Sequence, residues 1–265
     1  MSIYGQHQPI IHHSIDPDAL IRPVAAGAAD YPAGFRIAPH RHRSAQLVYA
    51  SAGVMVVAAA GGTWVVPPER AVWVPAGTEH RIRMRGPVAM RTLYIAPGAA
   101  SWLPEACCVV AVLPLLRALI LEAMGFDAAY AEDGAEARLM AVILDRIRAL
   151  PIVPLHLPAA RDPRLRGVTD ALATMPGDGR TLAQWAETAG ASARTLARLF
   201  RRDTGMTFHQ WRQQARLMTA LARLADGEPV TPVALDLGYD SPSAFIAMFK
   251  KALGTTPGRY FSRKT

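Results

Sequence analysis

Between residues 35 and 95 the chain alternates short apolar runs with turn residues. AQLVYA, GVMVVAAA, TWVV, AVWVPAG, RIRMR and MRTLYIAPG are rich in Val, Ile, Tyr and Trp and are separated by Gly and Pro. Short runs at this spacing predict an all-β sandwich or barrel. From Leu113 the period changes: LLRALILEAM and ARLMAVILDRIRAL carry apolar residues three and four apart, which predicts two helices joined by GFDAAYAEDG. PIVPLHLPAA, with three prolines in ten residues, reads as a stiff linker. After it every apolar pattern has helical spacing. The predicted fold class is therefore α+β. The expected divisions are a barrel over residues 1–112, a helix pair over 113–150 that either caps the barrel or forms a dimer seam, with dimerisation the expected role, a linker over 151–162 and an all-α domain over 163–265.

The last hundred residues contain a repeat. SARTLARLFRRDTGMT, beginning at Ser192, matches SPSAFIAMFKKALGTT, beginning at Ser241: Leu196 aligns with Phe245, Phe200 with Phe249 and Gly205 with Gly254, and the pair Arg201 and Arg202 with Lys250 and Lys251. Each copy reads as helix, tight turn, helix. Thr181 and Gln184 have capping-box spacing before the first helix, Gly190 ends it, and Ser192 caps the next. In the second copy Thr231 with Pro232, and Ser241 with Pro242, each set a cap residue before a first-turn proline.

On the helix after Ser192, Leu196, Leu199 and Phe200 share one side, which turns Arg194, Arg198 and Arg201 outward. An apolar back with a face of long donors is what a helix in a DNA major groove needs. A solvated basic face has the same pattern in one helix; two copies in a basic domain weigh against it. FHQWRQQARLMTALARLADG between the copies predicts about 18 helical residues, a rod of roughly 27 Å, suited to holding two reading helices about one DNA turn apart.

Charge supports this division. The chain of 265 residues carries a formal net charge of +8, and from Arg161 onward it holds 16 Lys and Arg against 9 Asp and Glu, compared with 13 against 12 before it. The basic half is the one expected to meet a polyanion, double-stranded DNA. CCVVAVLPLLRALILEAM is broken by Pro114 and Arg117, so no membrane span is expected, and the N-terminus lacks a secretory pattern. Cys107 and Cys108 offer no disulfide framework, and the expected location is the cytoplasm.

TLAQWAETAGASARTLARLFRRDTGMTFHQWRQQARLMTALARLADG and VTPVALDLGYDSPSAFIAMFKKALGTTPGRY resemble the AraC/XylS family of bacterial transcription regulators. The resemblance implies two helix-turn-helix motifs joined by a helix. Carried over by position, it assigns base reading to Arg194 and Arg198 in the first motif and to Ser243, Ala244 and Ala247 in the second. Ser192, Thr195, Arg201 and Arg202 complete the first DNA-facing set. Because Ser and Ala offer little for base readout, the second motif is expected to hold phosphate through Lys250, Lys251 and the helix start at Ser241.

GFRIAPHRHRSAQLVYASAG, from Gly34 to Gly53, is similar to the first cupin motif, with Gln46 where a glutamate is usual. PAGTEH is similar to the core of the second motif and ends at His80; Glu69 stands where that motif has glycine and Met84 where it has asparagine. The resemblance implies a sensor barrel. His40, His42 and Gln46 are read as sharing strand parity, with His80 completing a pocket of three nitrogens and one oxygen. Such a set suits a divalent transition metal, Zn, Ni, Co, Fe or Mn. The amide at Gln46 weakens that charge match, so a metal-free pocket for a small polar effector stays open; no cofactor is required. Tyr49, Met55, Trp64 and Trp73 are strand residues expected to line the pocket, although each also suits ordinary barrel core. His7, His12 and His13 lie in a polar leader as further imidazoles. Two rival readings are a cupin-type oxygenase or isomerase, against which stands the lack of an acid or base beside the histidines, and a constitutive DNA-binding protein whose barrel only dimerises it.

Overall fold

The computed structural model describes residues 8–148, 152–153 and 155–262; His7 lies outside them. The chain divides into two compact units, residues 1–155 and 156–265.

The first unit is built on β1 (Ile10–His13), β2 (Val24–Tyr31), β3 (Arg36–His40), β4 (Ala45–Ala59), β5 (Gly62–Val66), β6 (Arg70–Val74), β7 (His80–Ile95), β8 (Cys108–Ala111) and β9 (Ile152–Val153). The strand order is β1-β2-β7-β4-β6-β8-β9, with β3 added to β7 and β5 to β4. β4 and β7 are the long members. The first part of β4 pairs with the last part of β7, and its second part, beyond a bulge at Ala50–Val54, pairs with the start of β7, so the two strands run through both halves of a rolled sheet. Gly53 sits in that bulge at φ 82°, and a Cβ there would run into the carbonyl of Pro87 and the Cα of Val88.

Alternation sorts the side chains. The even-numbered residues of β7 are buried from His80 to Thr92, and Ile82 and Met84 face inward opposite Val57 and Met55. Leu47, Tyr49, Trp73 and Leu93 lie on the other face. They pack under α1 (Pro114–Ala123) and α2 (Ala135–Arg148), sharing one core with Leu116, Ile120, Met140, Ile143 and Ile147. The helix pair is thus part of the first unit's core rather than a separate module. The expected linker is also altered. Ile152 and Val153 pair with Val110 and Val109 as a further strand, while Leu157 and Ala160 pack in the core of the second unit.

The second unit contains β10 (His156–Pro158), α3 (Pro163–Thr174), α4 (Leu182–Thr188), α5 (Ala193–Thr204), α6 (Phe208–Ala225), α7 (Val230–Asp236), α8 (Pro242–Leu253) and α9 (Pro257–Ser262). The capping box at Thr181 and Gln184 is present, as is a second one at Thr207 and Gln210 that opens α6. Ser192 and Ser241 each accept from the backbone N–H three residues on. Gly205 and Gly254, matched in the repeat, end α5 and α8 in the left-handed conformation at φ 70° and φ 80°. Thr231 is not a cap: α7 begins at Val230 after Pro229, which places Thr231 and Pro232 inside the first turn. α6 has the 18 residues expected of the connecting rod.

Candidate metal centre and nucleic-acid interface

The histidine cluster is assembled from two strand ends and a turn. His40 closes β3 and His80 opens β7, and the two are cross-strand partners. His42 is not on a strand; it lies in the turn before β4, and its carbonyl accepts from the Gly77 N–H at 2.9 Å. His42 therefore does not share strand parity with His40 and Gln46, although its ring still reaches the cluster. Hydrogen bonding in the turn, rather than pleating, aims His42 inward. One nitrogen from each of the three histidines lies within 4.8 Å of the others.

Hydrogen bonds decide which atoms face the centre. The Nδ1 atoms of His40, His42 and His80 lie 2.9, 2.6 and 2.9 Å from the carbonyls of Ala38, Ser44 and Thr78. A carbonyl oxygen only accepts, so a neutral ring that keeps this contact carries its proton on Nδ1 and presents Nε2 as a lone pair. Gln46 has its amide nitrogen donating to Thr92 Oγ1 at 2.8 Å, and Thr92 in turn donates to the Leu47 carbonyl at 3.1 Å. The chain of donors fixes the amide, and Oε1 points at Nε2 of His42 (3.3 Å) and of His80 (3.1 Å).

Acceptor thus meets acceptor at the centre of a buried site, where Gln46 is 2% and His80 1% exposed. A proton on His80 would relieve the conflict, but burial, followed by the nearby His40 and His42, outweighs the Thr78 carbonyl and pushes this imidazole down to about 4. A cation relieves it directly: three imidazole Nε2 atoms and an amide oxygen, held by backbone carbonyls and by Thr92, form a donor set that fits a divalent transition metal. Tyr94 stands edge-on to His42 at 5.5 Å and its hydroxyl is raised by burial to about 12, so it stays neutral beside the site. Thr92 and Tyr94 were not found from sequence. They share parity on MRTLYI, but only the register that sets Tyr94 opposite Gln46 makes them neighbours of the histidines.

The four expected pocket-lining residues divide. Met55 and Trp64 lie on the interior face of the sheet through Met55↔Met84 and Val57↔Trp64. Tyr49 and Trp73 do not reach the histidines, because their register places them with Leu47 under the helix pair. Glu69, at the motif's glycine position, has φ 69°, the conformation for which glycine is the usual residue. His12 is bound to Asp30 at 2.8 Å instead of the cluster.

On α5, Leu196, Leu199 and Phe200 are fully buried, while Arg194, Arg198 and Arg201 are exposed. Thr195 is half-buried, and its hydroxyl lies 2.9 Å from that of Ser192. Arg202 differs from its neighbour. It donates to Asp203 at 2.7 Å and approaches Asp162, and Asp203 also accepts the N–H groups of Arg161 and Asp162. These bonds, that to Arg202 foremost, hold the Asp203 carboxyl down at about 2. Arg202 is thereby tied to the start of α3 rather than freely presented with Arg201.

On α8, Ser243, Ala244, Ala247, Lys250 and Lys251 are exposed over a base of Phe245 and Phe249. Ser241 is occupied as the cap. At the far end of α6, Arg223 bonds both Glu228 and Asp236, joining the rod to α7 of the second motif.

Residues 22–144 match the AraC-like ligand binding domain, and residues 185–263 match a helix-turn-helix domain. The chain is 40% identical over 226 residues to the HTH-type transcriptional regulator NimR of Escherichia coli (strain K12), spanning 85% of this chain and 82% of that protein. It is 32% identical over 179 residues to the RCS-specific HTH-type transcriptional activator RclR of the same organism, spanning 65% and 60%. Among solved structures, the C-terminal domain of AraT, a response regulator from Geobacillus stearothermophilus, aligns at 25% identity over 39% of this chain and 88% of that one, with a TM-score of 0.37. An N-terminal ligand-binding domain, a C-terminal helix-turn-helix domain and a regulator aligned over most of both lengths place this chain in the AraC family of DNA-binding transcription regulators, which are not enzymes.

Proposed function

We propose that the chain reads its operator mainly through α5 and responds to a divalent transition metal held by His40, His42, His80 and Gln46. The observation that carries the metal is the convergence of lone pairs. Nε2 of His42 and of His80 lie 3.3 and 3.1 Å from an oxygen whose orientation Thr92 fixes, in a site where protonating His80 is costly. The ion, when bound, supplies positive charge that links strand ends β3 and β7 to the turn at His42. Neutral imidazoles and an amide bring no negative charge to it, so Zn, Ni, Co, Fe and Mn suit the set better than the hard cations Ca or Mg.

Elemental analysis of untagged protein tests this. About one metal per chain, lost in the His40→Ala, His42→Ala double variant, is expected; full metal content in that variant refutes the site, and none in wild type gives the pocket to an organic effector.

At the DNA, exposed Arg194 and Arg198 are the base readers, with Arg201 nearby. Lys250 and Lys251 are the phosphate contacts of the second motif. Two chains act together on one operator, which raises affinity through effective concentration. The helix pair offers less surface for this than its composition suggests, since Ile143 and Ile147 are consumed in the chain's own core and Leu139 packs against it; Leu115, 52% exposed, and Val142, 40% exposed, remain outside. Among the described residues no helix is long and apolar enough to cross a membrane, and the proposed site of action is the cytoplasm. Sedimentation of the full chain is expected to show a dimer; a monomer with undiminished operator affinity refutes that part.

A further inference from the structure

A cavity lies on the other face of the sheet from the histidines. Its volume is about 160 Å3 and its walls are Trp73, Trp102, Leu103, Val110 and Ile147, with exposed Arg148 at its edge. We propose that this cavity is a binding site for a single-ring aromatic carboxylate.

Size, wall chemistry and charge converge on that class. An apolar cavity of about 150 Å3 holds a benzene-sized ring. Trp73 donates its indole N–H to the Pro104 carbonyl at 2.8 Å, so its polar atom is satisfied away from a ligand and the indole contributes its π surface. Trp102, 38% exposed, is a large aromatic left partly open to solvent. The guanidinium carbon of Arg148 stands 5.5 Å from the Trp102 ring centroid, which sets a cation beside an aromatic wall. A ring between the indoles with a carboxylate toward Arg148 satisfies both features. An aliphatic acid would forgo the ring contacts, and a neutral ring would leave the cation unused.

The position gives such a ligand a lever. Ile147 and Arg148 form the last turn of α2, and Val110 belongs to β8, whose partner strand is β9. β9 follows α2 in the chain, pairs with β8, and is the last strand before the second unit begins at His156. A ligand bound between α2 and β8 changes DNA affinity only as far as it binds one arrangement of the chain better than another. This consequence rests on the reading of the chain as an effector-responsive regulator; the binding site does not.

The test uses the full chain in chelator, titrated calorimetrically with benzoate as the probe and benzamide as its uncharged counterpart. Saturable binding is expected, about tenfold or more weaker for benzamide and for Arg148→Met, an exposed position whose replacement leaves the core intact. Val110→Phe, which fills the cavity, should abolish binding, while His40→Ala with His42→Ala should leave it unchanged. Absence of saturable binding, or binding indifferent to Arg148→Met, overturns the site. Binding lost in the histidine variant assigns the ligand to the other pocket and also overturns it. Operator affinity with and without benzoate then reads the lever: intact binding with unchanged affinity overturns the regulatory consequence alone.

Discussion

Acid should loosen the sensor unit through His80. The ring is 1% exposed, and burial lowers it from 6.5 to about 4. In the unfolded chain the imidazole takes a proton as pH falls through 6.5, whereas in the folded chain it resists until about 4. The unfolded state therefore binds more protons throughout that window, and the stabilisation, complete above about pH 7, is lost on acidification. A shift of this size corresponds to about 1 kcal/mol lost near pH 5.5 and roughly 3 kcal/mol below pH 4. His156, also lowered by burial, adds a loss of the same sign, so the measurement must be a difference. Urea unfolding of wild type and of His80→Gln, both in chelator, should converge in stability as pH falls from about 7 to about 4. Parallel pH profiles for the two proteins would refute the assignment of the cost to His80. A bound metal, which needs the same nitrogen unprotonated, should add stabilisation at neutral pH that disappears over this window.

Operator recognition should fail selectively when Arg194 and Arg198 are replaced by alanine, at a cost of about 1 to 3 kcal/mol each and with relaxed preference at particular base pairs, whereas Lys250→Ala should weaken all sequences alike and lessen the salt dependence; unchanged selectivity in the double arginine variant, measured by competition binding, would overturn the reading. Gly53→Ala should destabilise the sensor unit by roughly 3 kcal/mol or more, because strain at positive φ adds to a collision with the backbone of Pro87 and Val88. Thermal unfolding within about 1 kcal/mol of wild type would contradict that account. Cys107, pushed up to about 11 by burial with Cys108 adding to it, should react with iodoacetamide far more slowly than a free thiol at neutral pH; rapid modification of the folded chain would show that burial does not protect it.

The DNA-binding half was legible in sequence because its information is local. Capping residues at Thr181, Ser192 and Ser241, glycines at 205 and 254, and apolar residues three and four apart each act within a few positions, so the outward face of α5 follows from helical period alone. The exceptions are few. Asp162, distant in sequence, joins the neighbouring Asp203 in engaging Arg202, and Thr231 falls inside the first turn of a helix that begins at Val230 after Pro229.

In the sensor unit the histidines were visible as residue types with suitable spacing, but sheet pairing decided everything beyond that. Alternation along β4 separates Gln46 from Tyr49 by face, yet which face meets the histidines and which meets the helices depends on register with β6 and β7, strands drawn from elsewhere in the chain. The same pairing sets Trp73 in the wall of the cavity under the helix pair and brings Thr92 to the amide of Gln46. The apolar excess on α2 looked like a surface for another chain because sequence shows only that a face must be covered. The sheet of the same chain supplies most of the cover, and no local pattern records that choice.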